Sequence, residues 1–208
     1  MRSKTLHTSD GLDLEAEWSE PESPTATVVL CHPHPQYGGT MRSIVISALF
    51  EGLPTQGFAC LRFNFRGVER SEGAWDEGRS ELLDVRAALD TAKESQTGPL
   101  VLVGWSFGGD MALAVEDPAL AGWIGIAPPL RFRAATDYAA LAADTRPKLL
   151  ILGANDEFRA PADVARDVRE WTNTRIEVIA GASHFFVGRT DRVVDLAADF
   201  VGGLALEN

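Results

Sequence analysis

The chain has 208 residues, 45% hydrophobic and 24% charged, with 30 Asp and Glu against 19 Lys and Arg for a formal net charge of −11. That length suits a single domain, residues 1–208, able to bury a sizeable core. The acidic balance argues against nucleic acid or an anionic lipid surface as partner, and no apolar run approaches the roughly 18 residues that a membrane span needs.

The N-terminal stretch "MRSKTLHTSDG" lacks the apolar core of a signal peptide, so the expected location is cytoplasmic. "KTLHT" and "LDLEAEW" alternate apolar and polar residues around the turn residues "SDG", which predicts an antiparallel hairpin ended by Pro21 and Pro24. His7 belongs to this hairpin and is expected to face solvent or pack locally.

Short apolar runs then alternate with helix-period segments. The pattern predicts a strand at Ala26–Cys31, a helix at about Met41–Leu53, a strand at Ala59–Asn64, a helix at Ser80–Glu94 and a strand at Leu100–Val103. A helix at Phe107–Glu116 follows, then strands at Gly122–Ala127 and Lys148–Gly153, a helix at Pro161–Trp171, a strand at Arg175–Ile179 and a helix at Asp191–Leu204. Such alternation needs crossover connections, so the fold class is α/β: a mainly parallel sheet with helices on both faces. Cys31 and Cys60 lie in strand-like runs and read as buried, reduced thiols without a disulfide. "PPLRFRAATDYAALAADTRP", residues 128–147, is the one candidate excursion, too short for a separate lid.

The strand "LVLVG" runs directly into "WSFGGDMALAV", which places Ser106 at a strand-to-helix junction in a Gly-x-Ser-x-Gly pattern. A serine exposed on so tight a turn needs strained backbone, and Gly104 and Gly108 remove the side chains that would clash there. The helix start also aims free N–H groups at the site, where negative charge develops during acyl transfer. A glycine-rich cap or phosphate loop is the plain alternative, but neither a P-loop nor a dinucleotide fingerprint is present.

A serine hydroxyl needs a base, and the base needs an orienting acid. His184 in "AGASHFFVG" follows the last strand and should open on the same sheet edge as Ser106. Asp156 in "LLILGANDEF" follows another strand end, with Glu157 as its neighbouring competitor. The chain order Ser106, Asp156, His184 is the Ser, Asp/Glu, His order associated with this elbow.

"CHPHPQYGGTM", "RFNFRGVERSEG", "GWSFGG", "IAPP", "LGANDEF" and "SHFF", in that order, make the chain resemble an α/β-hydrolase. The likeness is to the small, capless bacterial branch related in shape to dienelactone hydrolases, and it runs from about Ala26 to the last helix. Dienelactone hydrolases usually carry a cysteine nucleophile where this chain has Ser106, so their substrate is not carried over, and similar sequences commonly have glycine at Glu69. The resemblance implies that the oxyanion hole uses the backbone N–H of Phe107 and one from the loop after the first parallel strand. Pro33 and Pro35 have no N–H, which points to His34, with Gln36 and Tyr37 as alternatives. His32 and His34 lack the Cys or carboxylate neighbours of a zinc site. Tyr37, Arg66 and Phe185 are candidate substrate contacts, although an arginine there is more often a partner for loop carbonyls or acids, and Trp105, Phe185 and Phe186 are more often core residues.

The expected function is a serine hydrolase acting on a small carboxylic ester or related acyl substrate through an acyl-enzyme, with no metal, nucleotide or organic cofactor. The alternatives are acyl transfer or peptide cleavage on the same three residues, and a binding protein that keeps the fold without catalysis.

Overall fold

Three six-residue runs, Ala26–Cys31, Phe58–Phe63 and Leu100–Trp105, are buried at every position, as strands covered on both faces must be. A computed structural model describes residues 1–206. In chain order the elements are β1 (Arg2–His7), β2 (Asp13–Ser19), β3 (Ala26–Cys31), α1 (Ile44–Thr55), β4 (Phe58–Phe63), α2 (Glu81–Lys93) and β5 (Leu100–Trp105). After them come α3 (Phe107–Leu113), β6 (Leu120–Ile126), α4 (Ala139–Ala143), β7 (Lys148–Gly153), α5 (Pro161–Asp167), β8 (Thr174–Ile179) and α6 (Thr190–Leu206).

The strands form one sheet in the order β1-β2-β4-β3-β5-β6-β7-β8. β1 pairs antiparallel with β2, and β2 antiparallel with β4; every later pairing is parallel. This is the predicted hairpin set on a mainly parallel sheet. Because side chains alternate along a strand, Val29, Cys31, Leu100 and Leu102 pack on one face with Val85, Leu89, Met111, Leu141 and Val164. Val28, Leu30, Val101 and Val103 pack on the other with Val45, Leu49, Val193 and Leu196. Helices α2 to α5 therefore cover one face, and α1 and α6 the other.

The predicted helix at Met41 begins three residues late, at Ile44. Met41 gives its N–H to the buried Asn64 Oδ1 at 2.8 Å and Ser43 Oγ accepts from Thr40 N–H, so residues 40–43 are held in a turn. α3 stops at Leu113 rather than Glu116, well ahead of Pro118, which disfavours helical backbone before it. The 128–147 excursion holds a 3₁₀ turn at Ala135–Tyr138 and the short α4, with Tyr138 and Leu141 buried. Cys31 and Cys60 are buried free thiols. No helix among the described residues is long and apolar enough to cross a membrane.

The hairpin is fastened by Arg66, just past β4. Its guanidinium donates to the fully buried Asp84 of α2 at 2.7 Å and to Asp10 of the β1–β2 turn at 2.9 Å. Asp84 also accepts Arg66 N–H at 2.9 Å. Breaking a buried ion pair strands the remaining charge, so Asp84→Ala should lower stability by about 3–5 kcal/mol. Urea unfolding measures this, with the double change Arg66→Met/Asp84→Leu expected to recover a substantial part.

Candidate active site

Ser106 joins β5 to α3 with φ +54° and ψ −122°, a conformation that costs a non-glycine residue about 1–3 kcal/mol. Three bonds hold it: Ser106 N–H donates to Ile126 carbonyl at 2.8 Å, and its own carbonyl accepts from Gly109 and Asp110 N–H. The flanking glycines are a steric necessity. A Cβ on Gly104 would fall 2.0 Å from the Gly108 carbonyl oxygen, and one on Gly108 2.3 Å from that of Cys31 and 2.4 Å from that of His32. Ser106 stands at the cap position of α3 but its side chain makes no cap bond; its hydroxyl turns instead toward His184.

Ser106 Oγ lies 2.9 Å from His184 Nε2, and His184 Nδ1 lies 2.8 Å from Asp156 Oδ2. Both partner side chains are nearly enclosed, at 7% and 3% exposure. Burial pushes the Asp156 carboxyl upward, but the His184 hydrogen bond and the N–H groups of Phe158 (2.9 Å) and Arg159 (3.1 Å) outweigh it and hold the group below its ordinary value. Asp156 is thus an ionised acceptor, so the Nδ1–H of His184 donates to it and Nε2 is left to accept the Ser106 hydroxyl proton. Glu157 acts elsewhere on the same residue, where its carboxylate accepts the backbone N–H of His184 at 3.1 Å. Trp105 Nε1–H donates to the His184 carbonyl at 3.1 Å, and Gly153 lets the Ala182–Ser183 backbone lie close against the end of β7.

Across the serine lies the loop after β3. The His34 carbonyl accepts from Tyr37 N–H at 3.1 Å, and His34 Nδ1 accepts from Gln36 N–H at 3.2 Å. Both alternative oxyanion donors are therefore committed within the loop, whereas the N–H groups of His34 and Phe107 have no protein acceptor among the described residues. His32 is wholly buried and both ring nitrogens are engaged, with Pro33 carbonyl at 2.6 Å and Phe65 N–H at 3.0 Å. Burial pushes it down to about 3, so it stays neutral.

Residues 24–198 match the family model described as an alpha/beta hydrolase domain. The chain belongs to the alpha/beta hydrolase family. It is similar to an alpha-beta serine hydrolase homologue from Coxiella burnetii, at 31% identity and TM-score 0.86 over 96% of this chain and 97% of the other. A lidless a/b serine hydrolase from Xanthomonas campestris aligns at 27% identity and TM-score 0.78, covering 93% and 90%. An uncharacterized protein of Rickettsia prowazekii is 31% identical over 90% of this chain and 84% of its own length.

In this alpha/beta hydrolase the rim differs from the sequence expectation at one point. Arg66 is no substrate contact: its side chain is 5% exposed and its donors are taken by Asp84 and Asp10. Tyr37 is exposed and meets the His34 ring edge-on at 4.7 Å. Phe185 is half-exposed beside His184 and Trp105, while Trp105 and Phe186 are buried in the core. Sequence reasoning missed Phe158, whose ring lies 4.6 Å from that of His184, and Trp75 and Phe132, which pack on His34 and Phe107. It also missed Asp110, fully buried one turn past Ser106, which accepts the N–H groups of Leu130, Arg131 and Phe132 at 2.8–3.0 Å. An acid between glycines and an apolar run, "GGDMALAV", was the available signal.

Gly108→Ala should destabilise the fold by at least about 1–3 kcal/mol, since backbone must move to admit the methyl group; thermal unfolding would register it. Asp156, held below its unfolded value near about 3.9, contributes stability that is present above that pH and lost as pH falls through the folded value. The stability gap between wild type and Asp156→Asn should therefore be widest near neutrality and close below about pH 4, as denaturant titrations at several pH values would report.

Proposed function

We propose that this chain is a serine hydrolase that cleaves a small carboxylic ester or related acyl substrate through an acyl-enzyme on Ser106. The observation that carries the reading is the hydrogen-bonded line from Ser106 Oγ through both nitrogens of His184 to Asp156. The serine hydrolase descriptions of the Coxiella and Xanthomonas relatives support it.

In the first step the Ser106 oxygen attacks the ester carbonyl while its proton passes to His184 Nε2, and Asp156 stabilises the imidazolium through Nδ1. The N–H groups of Phe107 and His34 receive the oxyanion, being free of other protein acceptors and fixed before the reaction begins. His184 then returns the proton to the leaving alkoxide. Water, deprotonated at the same Nε2, attacks the acyl carbonyl and releases the acid with Ser106 restored. Phe158 and Phe185 shield the His184 side of the reacting centre. The buried free thiols Cys31 and Cys60 suit a reducing compartment, and the proposal places the enzyme in the cytoplasm.

A fluorophosphonate probe followed by intact-mass measurement tests this directly. Wild type should acquire one adduct, Ser106→Ala none, and His184→Ala should label far more slowly. Ester turnover in both variants should fall by a factor on the order of 10⁴ or more. Full turnover in folded Ser106→Ala, or no adduct on folded wild type, would overturn the proposal.

A further inference from the structure

Beside the triad, between the loops after β6 and β7, is a cavity of about 480 Å³ lined by Pro129, Arg131, Phe158 and Arg159 together with the acids of the site. Its charges are almost all committed. Asp156 is bonded to His184, and Glu157 to the His184 N–H. Arg166 pairs with Asp163 at 2.7 Å, and Arg159 is bound to Asp167 and the Pro129 carbonyl. Arg131 is the exception: it is exposed, makes no ion pair among the described residues, and its guanidinium only overlies the Phe132 ring at 5.3 Å.

That cation is positioned by the elbow itself. Asp110, in the first turn of α3, accepts Arg131 N–H at 2.9 Å along with those of its two neighbours, and Leu130 is held at φ +51°. Phe132 packs on both Phe107 and His34, at 5.2 and 5.0 Å. The same charge reaches that side of the site: burial first, and then Arg131, lowers the pKa of His34. In a chain of net charge −11, an unpaired cation lining a cavity at the Asp156 end of the triad gives that side of the site a local sign opposite to that of the molecule.

We infer that Arg131 is a specificity-determining residue that receives an anionic group, such as a carboxylate, on one arm of the ester that Ser106 cleaves. The inference rests on the proposed hydrolase reading and names the substrate class for the same site. A guanidinium meets a carboxylate in a planar, two-bond geometry that a neutral arm cannot supply.

The test compares kcat/KM for three aryl or alkyl esters matched in size: one with a terminal carboxylate on the acyl arm, one with it on the alcohol arm, and a neutral methyl-capped counterpart. Wild type should favour one anionic ester, and the ratio of anionic to neutral kcat/KM should fall about tenfold or more in Arg131→Gln. Arg131→Lys should restore part of that ratio. Arg169→Gln, which changes net charge equally at an exposed position just past α5, should leave it in place. The arm whose preference is lost identifies the side that Arg131 reads. A ratio unchanged in Arg131→Gln, or an equal fall on all three esters, overturns the inference while fluorophosphonate labelling and neutral-ester turnover keep the hydrolase reading standing. A wild type that neither labels nor turns over any ester overturns both.

Discussion

Everything at the site depends on how closely the backbone of Gly108 lies against the carbonyls of Cys31 and His32. That contact sets the first turn of α3 directly on the end of β3, so the serine between β5 and α3 and the loop after β3 are placed by the same few atoms. The strained φ at Ser106 is the local cost, offset by bonds to Ile126, Gly109 and Asp110. The Ser106 hydroxyl is thereby held against His184, and the N–H groups of Phe107 and His34 are left without a protein acceptor among the described residues.

Around this centre, carboxylates act as fasteners for the strand-end loops. Glu81 accepts the N–H groups of Asp76 and Gly78, Asp84 that of Arg66, Asp110 three from residues 130–132, and Asp156 two beyond its own turn. Each bond gives a main-chain donor of a loop a charged acceptor. Loops of irregular sequence are thereby fixed relative to helices, and the helices to the sheet.

The fold was legible because the β-branched runs and helix-period segments alternate cleanly, and because a parallel sheet gathers its strand ends on one edge. Ser106, His184 and Asp156 come together there, hydrogen-bonded in that spatial order. What sequence could not resolve were partners set by distance in space. Arg66 stayed open as a substrate contact, although a structural role was favoured, because its main partner, Asp84, lies in a separate helix with no local pattern linking them. Phe132 and Asp110 escaped notice because residues 128–147 carry no strong periodicity, and the loop is shaped by an acid outside it. The overlong helix at Phe107–Glu116 reflects an apolar pattern that continues past the point where the chain turns toward Pro118.

Asp156 and Glu157 stand side by side, one bonded to the ring of His184 and the other to its main chain. Two adjacent acids thus grip opposite ends of a single residue, and neither is a spare for the other. To reach the imidazole, Glu157 would have to release the amide that keeps the ring where it is needed. The apparent redundancy in the sequence is a division of labour, and drift at either position has no neighbour ready to absorb it.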